Sequence, residues 1–416
     1  MGRAGTRRES ECNNDRLVKS RPQREREEAM KVSARATIPT AALIIAAAAF
    51  HPQPAIAAEP IRIGAFVSAS GPGSFLGDPE AKTLKLEIER ANRAGGVLGR
   101  QLQLTLYDTG SDPKQAVSFA RKLIDNDKVD GLIGGSLTGE TMAVVPIAQD
   151  AEIPFISLGG AAVIIEPVKK WVFKTPHTDR MAVEKDYIDM QKRGLSKVGI
   201  IAGSVGFDES CRKEAKSVAP KHGITVVDDQ TYAPTDTDMT PQLTNLRSHA
   251  DIQAVLDCGS QAPTAITTRN YQQLGMSKIP LYFSHAVASQ EYIDGAGAAA
   301  NGVRIPAAAV LIAEQLADND PQKKVGLDYR KEYEAAYHQP ISTFGGHAYD
   351  ALLLYVTAVK QAGTTDKAKV RDAIENLKQV VGTDGIFNLS PTDHMGLDTS
   401  AFHMVEIANG KWKLLY

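Results

Sequence analysis

The chain has little of what most enzymes need. Three cysteines occur in 416 residues, and none of the nine histidines stands in H-x-x-x-H, H-E-x-x-H or Cys/His metal spacing. No metal or other cofactor is therefore expected. The formal net charge is −2, and no Lys/Arg cluster with interleaved aromatics follows residue 58. That excludes a field drawing nucleic acid or an anionic membrane. The longest apolar run, Ile38–Phe50, has 13 residues, short of the roughly 20 needed to span a bilayer.

Two glycine-rich stretches imitate catalytic motifs. Gly71-Pro72-Gly73 to Gly77 follows a strand, and Asp108 ends the next one. The spacing is G-x-G-x-x-x-G, one residue too long for a dinucleotide fingerprint, and Pro72 stiffens a turn that must approach a pyrophosphate. In Gly134-Gly135-Ser136-Leu137-Thr138, Thr138 replaces the last glycine of a nucleophile elbow. No triad can be assembled, and the chain is not expected to be an enzyme.

The N-terminal part carries an address. Met30–Arg35 is basic, Ile38–Phe50 is apolar, and Ala55-Ile56-Ala57 gives an A-x-A cleavage site. Residues 30–57 thus read as a secretory signal peptide, with an exported product. Residues 1–29, crowded with Arg and Glu, fit a mis-called start with translation from Met30, or a disordered leader. Export also permits a disulfide. Cys211 falls on the first turn of a helix and Cys258 at a strand end; two buried thiols are the favoured reading, a bridge the alternative.

What remains is rhythm. Ile61–Val67, Gln101–Asp108, Val129–Ile133 and Ile153–Ser157 read as strands, alternating with helices at Pro79–Ala94, Pro113–Asn126 and Thr138–Asp150. Asp112 caps the second helix, with Pro113 at its first position. After Thr175-Pro176 a second βα series runs to Phe283, and beyond Pro306 the pattern turns helical, with helices at Tyr329–Tyr337, Tyr349–Gln361 and Lys367–Asn376. Strands alternating with helices imply parallel βαβ units. The strand-end loops then gather round one crevice, where helix N-termini favour an anion. Ser136 and Thr138 offer hydroxyls there, although Thr138 could simply cap its helix. Phe207, Gln261 and His285 follow strands of the second series and aim at the same crevice.

The order of IRIGAFVSASGPGSFLGD, AGGVLGRQLQLTLYDTGSDPKQAVSFARKLI and VDGLIGGSLTGETMAVVPIAQDAEIPFIS, then Gln273-Leu274-Gly275, Tyr349-Asp350-Ala351 and Gly410-Lys411-Trp412, resembles the periplasmic solute-binding proteins of branched-chain amino-acid (Leu/Ile/Val) ABC transporters. The likeness runs from Ile61 to Tyr416. It implies an α/β fold of periplasmic-binding-protein type I: two doubly wound parallel-sheet lobes joined by three crossovers. Lobe 1 would hold residues 58–177 and 308–378, and lobe 2 residues 178–307 and 379–416. It also implies a monomer that closes over a small carboxylate ligand and docks on an inner-membrane permease. A ligand sensor on the same fold is the alternative.

The resemblance implies a ligand-binding set of Leu76, Ser136, Thr138, Gly159, Gly160, Ala161, Phe207, Gln261 and His285. Thr138 matches the hydroxyl that meets an α-carboxylate in the family. The partners of the α-ammonium are missing: Ala161 stands where Thr or Ser is usual, and His285-Ala286 where a carboxylate is expected. Gln261 replaces a frequent Tyr, while Phe207 keeps the aromatic. A desolvated ammonium without a partner costs several kcal/mol. An organic or aromatic acid is thus expected over an aliphatic amino acid.

Overall fold

The structure, a computed structural model, describes residues 59–416. The leader and signal-peptide readings lie outside the described residues. In the first lobe, β1 (Ile61–Val67), α1 (Ser74–Arg93), β2 (Leu102–Asp108), α2 (Pro113–Asp125), β3 (Gly131–Gly134), α3 (Thr138–Asp150), β4 (Phe155–Ser157) and β5 (Val172–Lys174) follow in order. Their strands form one parallel sheet in the order β2-β1-β3-β4-β5.

The second lobe begins with α4 (Asp179–Lys192), β6 (Lys197–Ala202), α5 (Gly206–Val218), β7 (Thr225–Thr231) and α6 (Thr240–Ser248). It continues with β8 (Ala254–Asp257), α7 (Pro263–Gln273), β9 (Leu281–Phe283), α8 (Gln290–Ala296) and β10 (Arg304–Ala308). The chain then returns through α9 (Pro321–Tyr337), α10 (Thr343–Ala362), α11 (Lys367–Glu375) and the hairpin β11 (Val380–Val381) and β12 (Ile386–Phe387). It ends on β13 (Phe402–Ala408) and β14 (Lys411–Leu414), which pair antiparallel at the edge of the second sheet, β14-β13-β10-β9-β8-β6-β7. The chain crosses between the sheets three times: after β5, after β10 and before β13. Among the described residues no helix is long and apolar enough to cross a membrane.

Each sheet buries its own core. Ile61, Ile63, Leu132, Ile156 and Phe173 pack with Leu352, Leu354 and Ile374 of the returning helices. Phe387, Leu389, Met395 and Leu397 join this same core. A division at 378/379 assigns them to lobe 2; their packing draws the last crossing toward β13. Val255, Leu281, Phe283, Ile305 and Val405 form one face of the second lobe's core.

Three local expectations are corrected. Helix α1 starts at Ser74, so Pro79 lies inside it rather than at its head. Gly77 permits this, because a Cβ there would lie 2.2 Å from the Ser68 carbonyl carbon. Gly71 is packed as closely, a Cβ there lying 2.4 Å from the Gly110 carbonyl oxygen. Helix α9 begins at Pro321, capped by Asp320, eight residues before the expected start at Tyr329. Finally, Cys211 and Cys258 form a disulfide, not two thiols. Adjacent parallel strands β6 and β8 with α5 packed over them bring the two Cα atoms to 5.5 Å, within bridging range.

Candidate functional site

The turn after β3 sets the geometry. Gly134 and Gly135 both have positive φ, +149° and +71°. A Cβ on Gly134 would lie 2.1 Å from the Phe66 carbonyl oxygen. The turn carries Ser136 under the loop after β1, where its Oγ accepts from the Ser68 N–H at 2.9 Å. Helix α3 then starts at Thr138, with Leu137 as its cap residue. Thr138 therefore does not cap the helix. Its Oγ1 is buried and has no hydrogen-bond partner among the described residues. Asp112, by contrast, caps α2 as expected, accepting from the Lys114 N–H at 2.8 Å.

A cavity of about 40 Å³ lies between the lobes against this turn. That is close to the room of about three water molecules. Leu76, Ser136, Thr138 and Gly160 line it from the first lobe, Phe207 and His285 from the second. Gly159, Ala161 and Gln261 do not line it. Gly159 faces inward, against Ile164 and Thr141. Ala161 is fully buried behind the loop. Gln261, at φ +67°, borders a larger chamber of about 490 Å³ that shares Phe75 and Ala286 with the inner cavity.

The lobes touch across the cavity. A Cβ on Gly160 would stand 2.8 Å from Phe207 Cε2 and 3.4 Å from His285 Nε2. Phe207 meets His285 edge-on, with ring centroids 5.6 Å apart. Phe75 meets Phe344 in the same way at 5.5 Å. Phe75, Phe207, His285, Phe344 and His347 thus set aromatic rings among smaller lining residues, which suits a flat apolar body.

Charge is arranged behind the walls. Lys174, at the end of β5, is fully buried, and its Nζ donates to the Gly160 carbonyl at 2.7 Å. The His177 and Ala161 carbonyls lie at 3.4 and 3.5 Å. Burial brings the Lys174 ammonium down to about 7, against the opposing pull of Asp179, Glu166 and Asp384. His347 hydrogen-bonds Asp384 at 2.6 Å, and burial lowers it to about 3. His285 is held well below its ordinary value, first by burial and then by His347 and Lys174. It faces the cavity as a neutral ring, suited to a hydroxyl rather than to a second acid. Among the described residues lining the cavity there is no Asp or Glu.

Several of these groups escape a reading of the sequence. Lys174 ends an apolar strand, and only its misplaced charge hints at a role. Ser260, Phe344 and His347 line the cavity without a motif. Ser260 Oγ donates to Asp208 at 2.6 Å, and burial pushes that carboxyl up to about 7.

Two parallel-sheet lobes, three crossings and a cavity at the strand ends define a two-lobed ligand-binding receptor. The family model for periplasmic binding proteins matches residues 60–411, and the chain belongs to that family. A leucine-, isoleucine-, valine-, threonine- and alanine-binding protein of Pseudomonas aeruginosa is 26% identical over 322 residues, spanning 77% of this chain and 83% of that protein. An extracellular ligand-binding receptor of Rhodopseudomonas palustris HaA2 is 30% identical, with a TM-score of 0.79 over 86% of this chain and 99% of that one. A branched-chain amino acid transporter substrate binding protein of Streptococcus pneumoniae, solved with isoleucine, is 23% identical and shares the fold, with a TM-score of 0.73 over 86% and 99% of the two chains.

Proposed function

We propose that the chain is the periplasmic solute receptor of an ABC importer, and that its ligand is a small carboxylate without an α-amine, preferably aromatic. The observation that carries this is the Gly160 loop. In an amino-acid receptor a carbonyl of this loop would accept from the ligand's ammonium. Here the Gly160 carbonyl already accepts from Lys174. That bond takes one of the carbonyl's two lone pairs and places a donor, charged about half the time near pH 7, where the ammonium would sit; none of the described lining residues is an acid that could hold a second cation. A carboxylate is attracted by the charged fraction of Lys174 and meets no such conflict. Thr138 Oγ1 and the first N–H groups of α3 would seat it. Phe207 and His285 would close over the body, and Gln261 would meet only a ligand that extends outward. Closure requires contacts better in the closed than the open state.

A second reading, an aliphatic amino acid, is favoured by the names of relatives such as the Pseudomonas aeruginosa protein. A thermal-shift screen of refolded, ligand-stripped protein separates the two. The panel holds aliphatic amino acids, aromatic carboxylates, and hydroxy and keto acids. A ligand at ~100 times its Kd adds about 2.7 kcal/mol, a shift of a few degrees. Shifts confined to amine-free acids support the proposal; a shift with leucine or valine sinks it.

A further inference from the structure

Behind Ser136 lies a pair of buried acids that the ligand seat does not use directly. Glu80, on α1, is fully buried. One of its oxygens is hydrogen-bonded to Ser136 Oγ; the other, Oε1, has no partner. Among the described residues no cation pairs with Glu80 and nothing bonds to that second oxygen. The acid whose charge acts on it is Glu140 of α3, which burial also raises but which is much better served by donors. Glu140 is hydrogen-bonded by Ser68 Oγ at 2.9 Å, by Thr109 Oγ1 at 2.5 Å and by the Leu137 N–H at 3.3 Å. Two neighbouring buried carboxyls do not both ionise, and the one with more donors keeps the charge. Glu80 is then the acid that keeps its proton. Burial, with Glu140 adding to it and Ser136 opposing, pushes the Glu80 carboxyl well above the ordinary range.

With Glu80 ionised, the Ser136 hydroxyl would donate to it; with the carboxyl neutral the bond reverses, its O–H donates, and Ser136 Oγ is the acceptor in contact with it. Ser136 Oγ also accepts from the Ser68 N–H. With both acceptor positions filled from behind, the serine has only its own proton left to give. The cavity is the space that Ser136 lines. We infer that Glu80 is a positioning residue whose retained proton commits the Ser136 hydroxyl as a donor to the bound acid. This rests on the carboxylate reading above. An ionised Glu80 would instead take the serine's proton and leave the cavity facing a lone pair, which repels a carboxylate.

The first test needs no ligand. The infrared difference spectrum of wild type minus Glu80→Gln at neutral pH should show the carbonyl stretch of a neutral carboxyl. The difference isolates Glu80 from the other buried acids. Loss of carboxylate bands instead overturns the inference. The second test titrates phenylacetate and 4-methyl-2-oxopentanoate by calorimetry. Glu80→Leu, which offers Ser136 no donor, should bind at least tenfold more weakly, and Glu80→Gln, which keeps an N–H for Ser136, should recover most of that loss. Glu80→Leu binding as tightly as wild type overturns the positioning role. Ser136→Ala should bind at least tenfold more weakly, the loss expected for a hydrogen bond to a charged acceptor. Ser136→Ala binding as tightly as wild type overturns the donor role. Wild type that binds neither acid, with the neutral-carboxyl band present, overturns the carboxylate reading and the donor role with it, while Glu80's proton stands.

Discussion

Replacing Thr138 by Val separates a ligand seat from a structural hydroxyl. The two side chains have nearly the same shape, so packing at the head of α3 is preserved. In the ligand-free protein Thr138 Oγ1 is buried without a partner. An unmade buried hydrogen bond costs about 1–3 kcal/mol, so its removal should raise stability by up to about that much, valine and threonine being nearly equal helix formers. With ligand present the sign reverses. A hydrogen bond to a charged acceptor contributes about 1.5–3 kcal/mol. At 1.4 kcal/mol per decade, affinity should fall roughly 10- to 150-fold. Urea unfolding reads the first quantity and isothermal titration calorimetry the second. A variant that is destabilised by more than about 1 kcal/mol yet binds as tightly as wild type would refute the assignment. Thr138 would then be structural.

Other parts of the molecule give independent outcomes. The Cys211–Cys258 bridge closes a loop of 47 residues, so reduction or double replacement by Ala should cost up to about 4 kcal/mol, read as a lower unfolding midpoint with reductant. Gly160→Ala places a methyl 2.8 Å from Phe207 Cε2, so closure should be blocked; small-angle scattering should show no compaction at saturating ligand where wild type compacts. Lys174 titrates near 7 when folded and near 10.4 when unfolded, so the unfolded chain binds more protons between those values. Its burial therefore costs most below about pH 7, and stability should rise with pH across that window. Denaturation of Lys174→Met, compared with wild type from pH 7 to 10, should show that slope reduced; equal slopes would contradict the assignment.

Much of the scaffold was legible because it is written locally. The alternating strand of β1, the cap at Asp112 and the turn before Thr138 each rest on a few adjacent residues. The three crossings and the two sheets followed from the order of elements and the family resemblance. The start of α1 was hidden because Pro79 signals a helix head, while the contact that admits Gly77 comes from Ser68 across the fold. The disulfide was undecidable because its geometry depends on which strands are neighbours. The cavity was half visible. Thr138, Phe207 and His285 lie where strand-end loops put them. Lys174 and Glu80 do not, since their meaning comes from partners 14 and 56 residues away in sequence.

The central claim is that the site has no place for an α-ammonium. A matched pair tests it most directly: leucine against 2-hydroxy-4-methylpentanoate, which differ by an amine in place of a hydroxyl. Calorimetric titration of ligand-stripped protein with both should show the hydroxy acid binding at least tenfold more tightly, its hydroxyl met by neutral His285. Leucine binding as tightly or more tightly would contradict the account and show that another group serves the ammonium.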